Sequence, residues 1–285
     1  MGNPILSETI EKVNKILGKS LDDLTVERAV FGLFFSGVKL SDASGGLCFT
    51  PIKEIPEAVC CPSSARAMPL SGKLAGRSVR AYLDDIFGEN ILRKTLGIAV
   101  LNALSASCWS RMPNNGYEIQ SGKDAFDDIV IQPGIKAVVV GALVPIIRKL
   151  IAAKSEFHIL EMDAATLKEK ERPYFAEASR APEFIPDADL LVITGTTVLN
   201  DTLPGLLEMA KPGAQIIVTG PTASMLPGAF FSRGVTTLGG IMVTKPDELL
   251  DIIGEGGSGY HFFGKSAERT IINRKWNIEK EHSDG

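Results

Sequence analysis

The feature that most constrains this chain is a change of grammar near its middle. Beyond residue 128, short apolar runs without polar alternation take turns with helical patterns. Strand "KAVVVG" leads to helix "VPIIRKLIAAK", then strand "EFHILEMD" and a proline-bearing helical region. Strand "ADLLVITG", helix "LPGLLEMAK", strand "AQIIVTG" and a short helical piece follow, and strand "TTLGGIMV" with helix "PDELLDII" closes the series. Strands that are apolar on both sides need cover on both faces, which helices between successive strands supply. Such crossovers are right-handed, so the pattern predicts a Rossmann-like, doubly wound parallel sheet.

The first half follows different rules. An amphipathic helix around Ile5 to Leu17 precedes two strand-like runs, "RAVFGLFFSGVKL" and "GGLCFTPI", with the turn-rich "SDASGG" between them. This reads as an antiparallel hairpin with a longer loop. Two helical segments come next, "SVRAYLDDIF" and "ILRKTLGIAVLNALSASCW". The second is apolar nearly all round in its later turns and is expected to be buried. The polar stretch Arg111 to Asp128 is the expected linker. The fold class is therefore α/β overall: a small α+β domain at 1–122, a Rossmann-like domain at 123–275, and a polar tail at 276–285.

Of the 285 residues, 45% are hydrophobic and 22% charged, enough for a core and unlike a disordered chain. A net charge of -4, with both signs mixed along the chain, offers no basic stripe for nucleic acid. No apolar run reaches uninterrupted the roughly 20 residues that span a bilayer. Four cysteines follow a polar, helix-like start rather than a secretory signal, so reduced thiols and a cytoplasmic location are expected.

The candidate site lies where two strands end alike. "DADLLVITGTTVLNDTL" and "GAQIIVTGPTASMLP" each pass from an apolar run into Thr-Gly-x-Thr, and Gly141 ends a third strand. Open parallel sheets bind ligands outside their carboxyl ends, where strand order reverses. Glycine admits close approach, and threonine hydroxyls and free amides offer donors to a polar or anionic ligand. One such turn alone reads as an ordinary helix cap; the pair in one sheet points to a binding edge. The expected ligand residues there are Gly141, Glu161, Thr194, Gly195, Thr196, Thr197, Asn200, Gly220, Pro221 and Thr222. Asn102 sits in an apolar helix and needs partners. It either ties down a nearby loop or presents its amide to a cleft between the domains, where the Ser41-to-Gly46 loop is a further candidate.

The cofactor signals are weaker. "VVVGALVPIIRK" carries one glycine where a dinucleotide cradle needs G-x-G-x-x-G, which disfavours NAD. Glu161 or Asp163 stands where ribose hydroxyls are often held, or is a solvated strand end. An adenosine-type ligand such as S-adenosylmethionine stays open on the first reading, and no Walker motif points to ATP. His158, His261 and His282 have no metal spacing, adjacent Cys60 and Cys61 face opposite ways in an extended strand, and Cys108 reads as core. No protein metal site is expected.

Taken together, "GLFFSGVKLSDASGGLCFTP", "LGIAVLNALSA", "KAVVVGALVPIIRKL" and "LLVITGTTVLNDTL" through "VTGPTASMLP" resemble the family described as "putative heavy-metal chelation". The resemblance runs to about Lys275. It implies an enolase N-terminal-like α+β domain followed by a Rossmann-like domain, with a site between them. It does not imply enolase activity, whose metal ligands and bases come from a barrel this chain lacks. The function expected is binding of a small polar metabolite in the interdomain cleft, with enzymatic condensation, hydrolysis or group transfer on a chelator-type molecule (pterin-, flavin- or siderophore-like). The alternative is a non-enzymatic carrier of a heavy metal or metal complex. The expected partner is that small molecule, with no nucleic acid and no membrane, and a homo-oligomer is allowed for.

Overall fold

A computed structural model of the chain describes residues 2–54, 70–112 and 116–275. Helix α1 (Pro4–Leu17) starts at Asn3, whose side chain accepts from the amides of Ile5 and Leu6. The meander β1 (Val26–Phe31), β2 (Phe35–Leu40) and β3 (Gly45–Phe49) follows, antiparallel throughout. The run read as a single strand before "SDASGG" is therefore two. It breaks at Gly32, where a Cβ would come within 2.2 Å of the Ile253 carbonyl oxygen, so close packing there excludes any side chain. Helices α2 (Val79–Asp85) and α3 (Ile91–Trp109) complete this unit. Leu92, the run from Lys94 to Ser105, and Cys108 of α3 are all buried. By length and composition α3 could cross a membrane; here protein surrounds it. Gly46 lets β3 lie directly on it, since a Cβ at Gly46 would stand 2.1 Å from the Ala99 carbonyl oxygen.

The polar stretch after α3 carries β4 (Tyr117–Ser121). It is followed by β5 (Lys136–Val140), α4 (Val144–Ala152), β6 (Glu156–Glu161), the short β7 (Phe175–Glu177) and α5 (Ala181–Phe184). Next come β8 (Leu190–Thr194), α6 (Thr196–Leu199), α7 (Leu203–Glu208), β9 (Gln215–Thr219) and α8 (Gly228–Phe231). The chain closes with β10 (Thr237–Val243), α9 (Pro246–Gly254), α10 (Gly259–Phe262) and β11 (Ala267–Arg274).

Eight strands form the second sheet in the order β4-β11-β10-β9-β8-β5-β6-β7. From β10 to β7 all neighbours are parallel, while β11 and β4 add antiparallel at the β10 edge. Counting the parallel strands in chain order from β5, their spatial order is 3-2-1-4-5-6, the doubly wound Rossmann arrangement. The strands β7 and β11 escape a sequence reading for different reasons. The first has three residues inside a proline-rich crossover, and the second is half polar because it lies near the sheet edge.

One apolar cluster runs through both units. It joins Ile5, Leu6 and Val13 of α1 and Leu96 to Leu104 of α3 to Val138, Leu191, Val218 and Phe230 of the Rossmann-like part. A second cluster covers the other sheet face under α4, with Val139, Ile147, Ile159 and Val192.

Candidate functional site

The strands β5, β8 and β9 run side by side in parallel and in register, Val140 opposite Ile193 and Thr194 opposite Thr219. Their carboxyl ends therefore fall on one edge. The crossovers leave β5 toward β6 and β8 toward β9, in opposite directions, so strand order reverses between β5 and β8. Gly141, Thr194, Thr196, Thr219, Gly220 and Pro221 lie half-buried along this edge, with Gly195 and Thr197 buried beneath.

The glycines bring the turns together. Gly141 has φ +94°, and a Cβ there would meet the Thr194 methyl at 2.8 Å. The Gly195 amide donates to the Thr219 carbonyl at 2.7 Å, and Gly220, at φ +133°, lies against Gly195. Close approach of neighbouring turns is thus a direct reason for glycine at all three positions.

The threonines divide in two. The Thr194 hydroxyl accepts from the Thr196 hydroxyl at 3.3 Å and from the Thr196 amide at 3.5 Å. Its own proton meets no acceptor among the described residues, and the side chain is half-buried at this edge. Thr197 turns inward and donates to the Thr194 carbonyl at 2.7 Å. Thr222 is 2% exposed and joins the two units: its hydroxyl accepts from the Phe49 amide of β3 at 3.0 Å. Asn102, also 2% exposed, has the same office. Its Nδ2 donates to the carbonyls of Leu47 (2.7 Å), Thr222 (3.1 Å) and Pro221 (3.3 Å), while its Oδ1 is buried without a partner. Of the two readings of Asn102, loop fixation describes its Nδ2. Ser105, one turn on, accepts from the Leu226 amide at 3.2 Å and supports the same seam.

The remaining expected residues have partners of their own. Asn200 is exposed, with its Oδ1 taken up by the amide (3.2 Å) and hydroxyl (2.7 Å) of Thr202. Glu161 folds back to accept from the Met162 amide at 2.8 Å. Asp163 accepts from the Ala165 amide at 2.9 Å, which holds its carboxyl below the usual range, with help from Lys53 of the first unit at 3.2 Å. The Ser41-to-Gly46 loop packs against Val243 and Pro246 at the end of β10, and its Asp42 accepts from Ser107 of α3 at 2.6 Å.

Sequence reasoning missed Lys53, Lys94, Asp201 and Asn3, which also cross between the units. The signal for Lys94 was a lysine on the buried side of an apolar helix. Cys60 and Cys61 and the 276–285 tail lie outside the described residues. Among the described residues, no three His, Cys, Asp or Glu side chains gather as for a metal. Burial pushes the Cys48 and Cys108 thiols up to about 12, so both are protonated at neutral pH.

Crystal structures of two proteins of unknown function share this fold. The one from Pyrococcus horikoshii aligns with a TM-score of 0.74 over 94% of this chain and 99% of its own, at 21% identity. The one from Desulfitobacterium hafniense aligns with a TM-score of 0.67 over 92% and 98%, at 20% identity. An uncharacterised protein of Methanocaldococcus jannaschii is 30% identical over 199 residues, 68% of this chain and 72% of that protein. Two family models bearing one description match residues 14–105 and 124–272, one on each side of the seam that Asn102 and Thr222 close. On these matches and on the shared fold, the chain belongs to the "putative heavy-metal chelation" family.

Proposed function

We propose that the carboxyl-edge crevice binds a small polar metabolite of chelator type, pterin-, flavin- or siderophore-like, and that the protein is an enzyme acting on it by condensation, hydrolysis or group transfer. The family description supports metal or ligand binding in the broader sense. The observation that carries the narrower reading is the meeting of three glycine turns around the Thr194 and Thr196 hydroxyls at the reversal of strand order. The two turns offer hydroxyl and amide donors and carry no charge of their own, which suits a neutral or weakly anionic polar ligand.

The second reading, a carrier of bare metal, draws on the family description. Against it, among the described residues no three His, Cys, Asp or Glu side chains gather as a protein-only metal site needs. A metal complex is better accommodated if the organic ligand supplies most of the donors.

The test is mass spectrometry of small molecules released from the purified full chain, paired with elemental analysis. The expected outcome is an organic molecule retained in proportion to protein, with any metal present only beside it. Thr196→Val should lower retention, while Cys60→Ser with Cys61→Ser should not. About one metal per chain without organic ligand, lost in the double serine variant, would decide for the metal carrier.

A further inference from the structure

A second polar group, away from the crevice, carries its own inference. A groove of about 610 Å³ opens where the start of α1, the turn between α2 and α3, and the loop after α6 meet. That volume falls within the range of small-molecule sites, roughly 300–1,000 Å³. Its polar side is Lys94 with Asp201; of its apolar lining, Leu6 and Ile86 are buried and Phe87 is half exposed. It shares no residue with the carboxyl-edge crevice.

Three observations set this groove apart from an accidental gap. Lys94 is only 8% exposed, which is costly for a lysine without compensation. Among the described residues, its ammonium has one hydrogen-bonding partner, Asp201 Oδ2, so two of its three donors remain. Asp201 is firmly positioned. Its φ is +60°, a left-handed conformation uncommon outside glycine, and its Oδ1 accepts from Asn3 Nδ2 at 3.0 Å. Asn3 is itself buried and donates also to the Val198 carbonyl at 3.2 Å, so the carboxylate is oriented by a fixed group. The Asp201 side chain nevertheless stays 51% exposed and keeps lone pairs free. Finally, Phe87 stands beside the pair with half its surface exposed.

We propose that this groove binds an amino-acid-like zwitterion with an apolar or aromatic side chain. Its carboxylate would take the free donors of Lys94, its ammonium the free lone pairs of Asp201, and its side chain would pack on the exposed ring of Phe87. A fixed pair of opposite charges matches a ligand carrying both, whereas a simple anion or cation satisfies one and is repelled by the other. Both protein charges keep their present partner, so the ligand adds to the ion pair without breaking it.

The test is calorimetric titration of the full chain with L-phenylalanine and L-leucine. Two analogues serve as controls: 3-phenylpropanoate, which lacks the amine, and 2-phenylethylamine, which lacks the carboxylate. One of the two amino acids should bind with one site per chain. The analogues should bind at least about tenfold more weakly, the scale of a lost charge-assisted hydrogen bond. Lys94→Met and Asp201→Asn should each weaken binding by a similar factor. Phe87→Ala, at a half-exposed side chain, should weaken it in a protein that melts as the parent does. Thr196→Val should leave it unchanged, which separates this groove from the crevice. No binding of either amino acid at millimolar concentration, or binding indifferent to Phe87→Ala and Lys94→Met, overturns the proposal.

Discussion

At the residue scale, several side chains with the look of ligand contacts hold the protein to itself. Thr222 accepts from the Phe49 amide of the other unit, and Asn102 donates to three carbonyls. Thr222→Val leaves the Phe49 amide without its acceptor and should cost about 1–3 kcal/mol in denaturant unfolding. A loss below a few tenths of a kcal/mol would mean that water replaces the hydroxyl there. The thiols give a second prediction. With Cys60 and Cys61 changed to serine, the folded protein should show no fast labelling by a disulfide reagent at pH 8. Cys48 and Cys108 should react only on unfolding, because burial keeps them protonated. Stoichiometric labelling within seconds of mixing would contradict this.

At the scale of elements, two contacts decide how the meander sits. The first is β3 on α3. Gly46→Ala must push its methyl into the Ala99 carbonyl and the Ala103 amide, both backbone, so neither can give way cheaply. The expected destabilisation is about 1–3 kcal/mol or more, read as a fall in thermal midpoint. The second is the seam between the meander and α9. Arg28 of β1 reaches Asp247 and Asp251, each at 2.8 Å, and Lys39 of β2 reaches Asp247 at 2.8 Å. Hydrogen bonds from Lys39 and then Arg28 hold the Asp247 carboxyl below its ordinary value. A depressed folded value means that the contribution is present above the unfolded carboxylate value, near 4, and is lost as pH falls through the folded one. Melting curves taken from pH 6 downward should therefore converge for the parent and Asp247→Asn at the acid end. Curves separated equally at every pH would show that these ion pairs do not respond to acid. At high salt the difference should shrink, since the groups are partly exposed.

At the scale of the whole molecule, one apolar cluster runs from α1 and α3 into the large sheet and is expected to couple the two units in unfolding. Calorimetry of the full chain should show a single unfolding transition with matching calorimetric and van't Hoff enthalpies. Two resolved transitions would mean that the cluster does not couple the units. The same packing places β3 and the Ser41-to-Gly46 loop over the ends of β9 and β10, with Phe49 on Thr222 and Gly45 against Val243. The half-buried turns at Gly141, Thr194 and Thr196 lie along the same edge.

The Rossmann-like sheet was legible in the sequence because its inner strands are buried on both faces. A run such as "KAVVV" or "LLVIT" has few other uses between helical segments. The two Thr-Gly-x-Thr turns were legible for a related reason: the chain must leave each strand at the same sheet edge, and the small polar residues mark where. What each threonine does was not legible. Thr196 and Thr222 occupy similar places in two similar strings, yet Thr196 stays half-buried beside Thr194 while Thr222 is buried and accepts from the Phe49 amide of β3. Strand β4 was hidden in a polar stretch, since an outermost strand needs no apolar outer face. The pairing of Lys94 with Asp201 across 107 positions was equally invisible. Local pattern records what each segment must bury and where it must turn. Which distant group meets a buried ammonium or a spare hydroxyl is settled only when the elements pack, because that contact belongs to no segment alone.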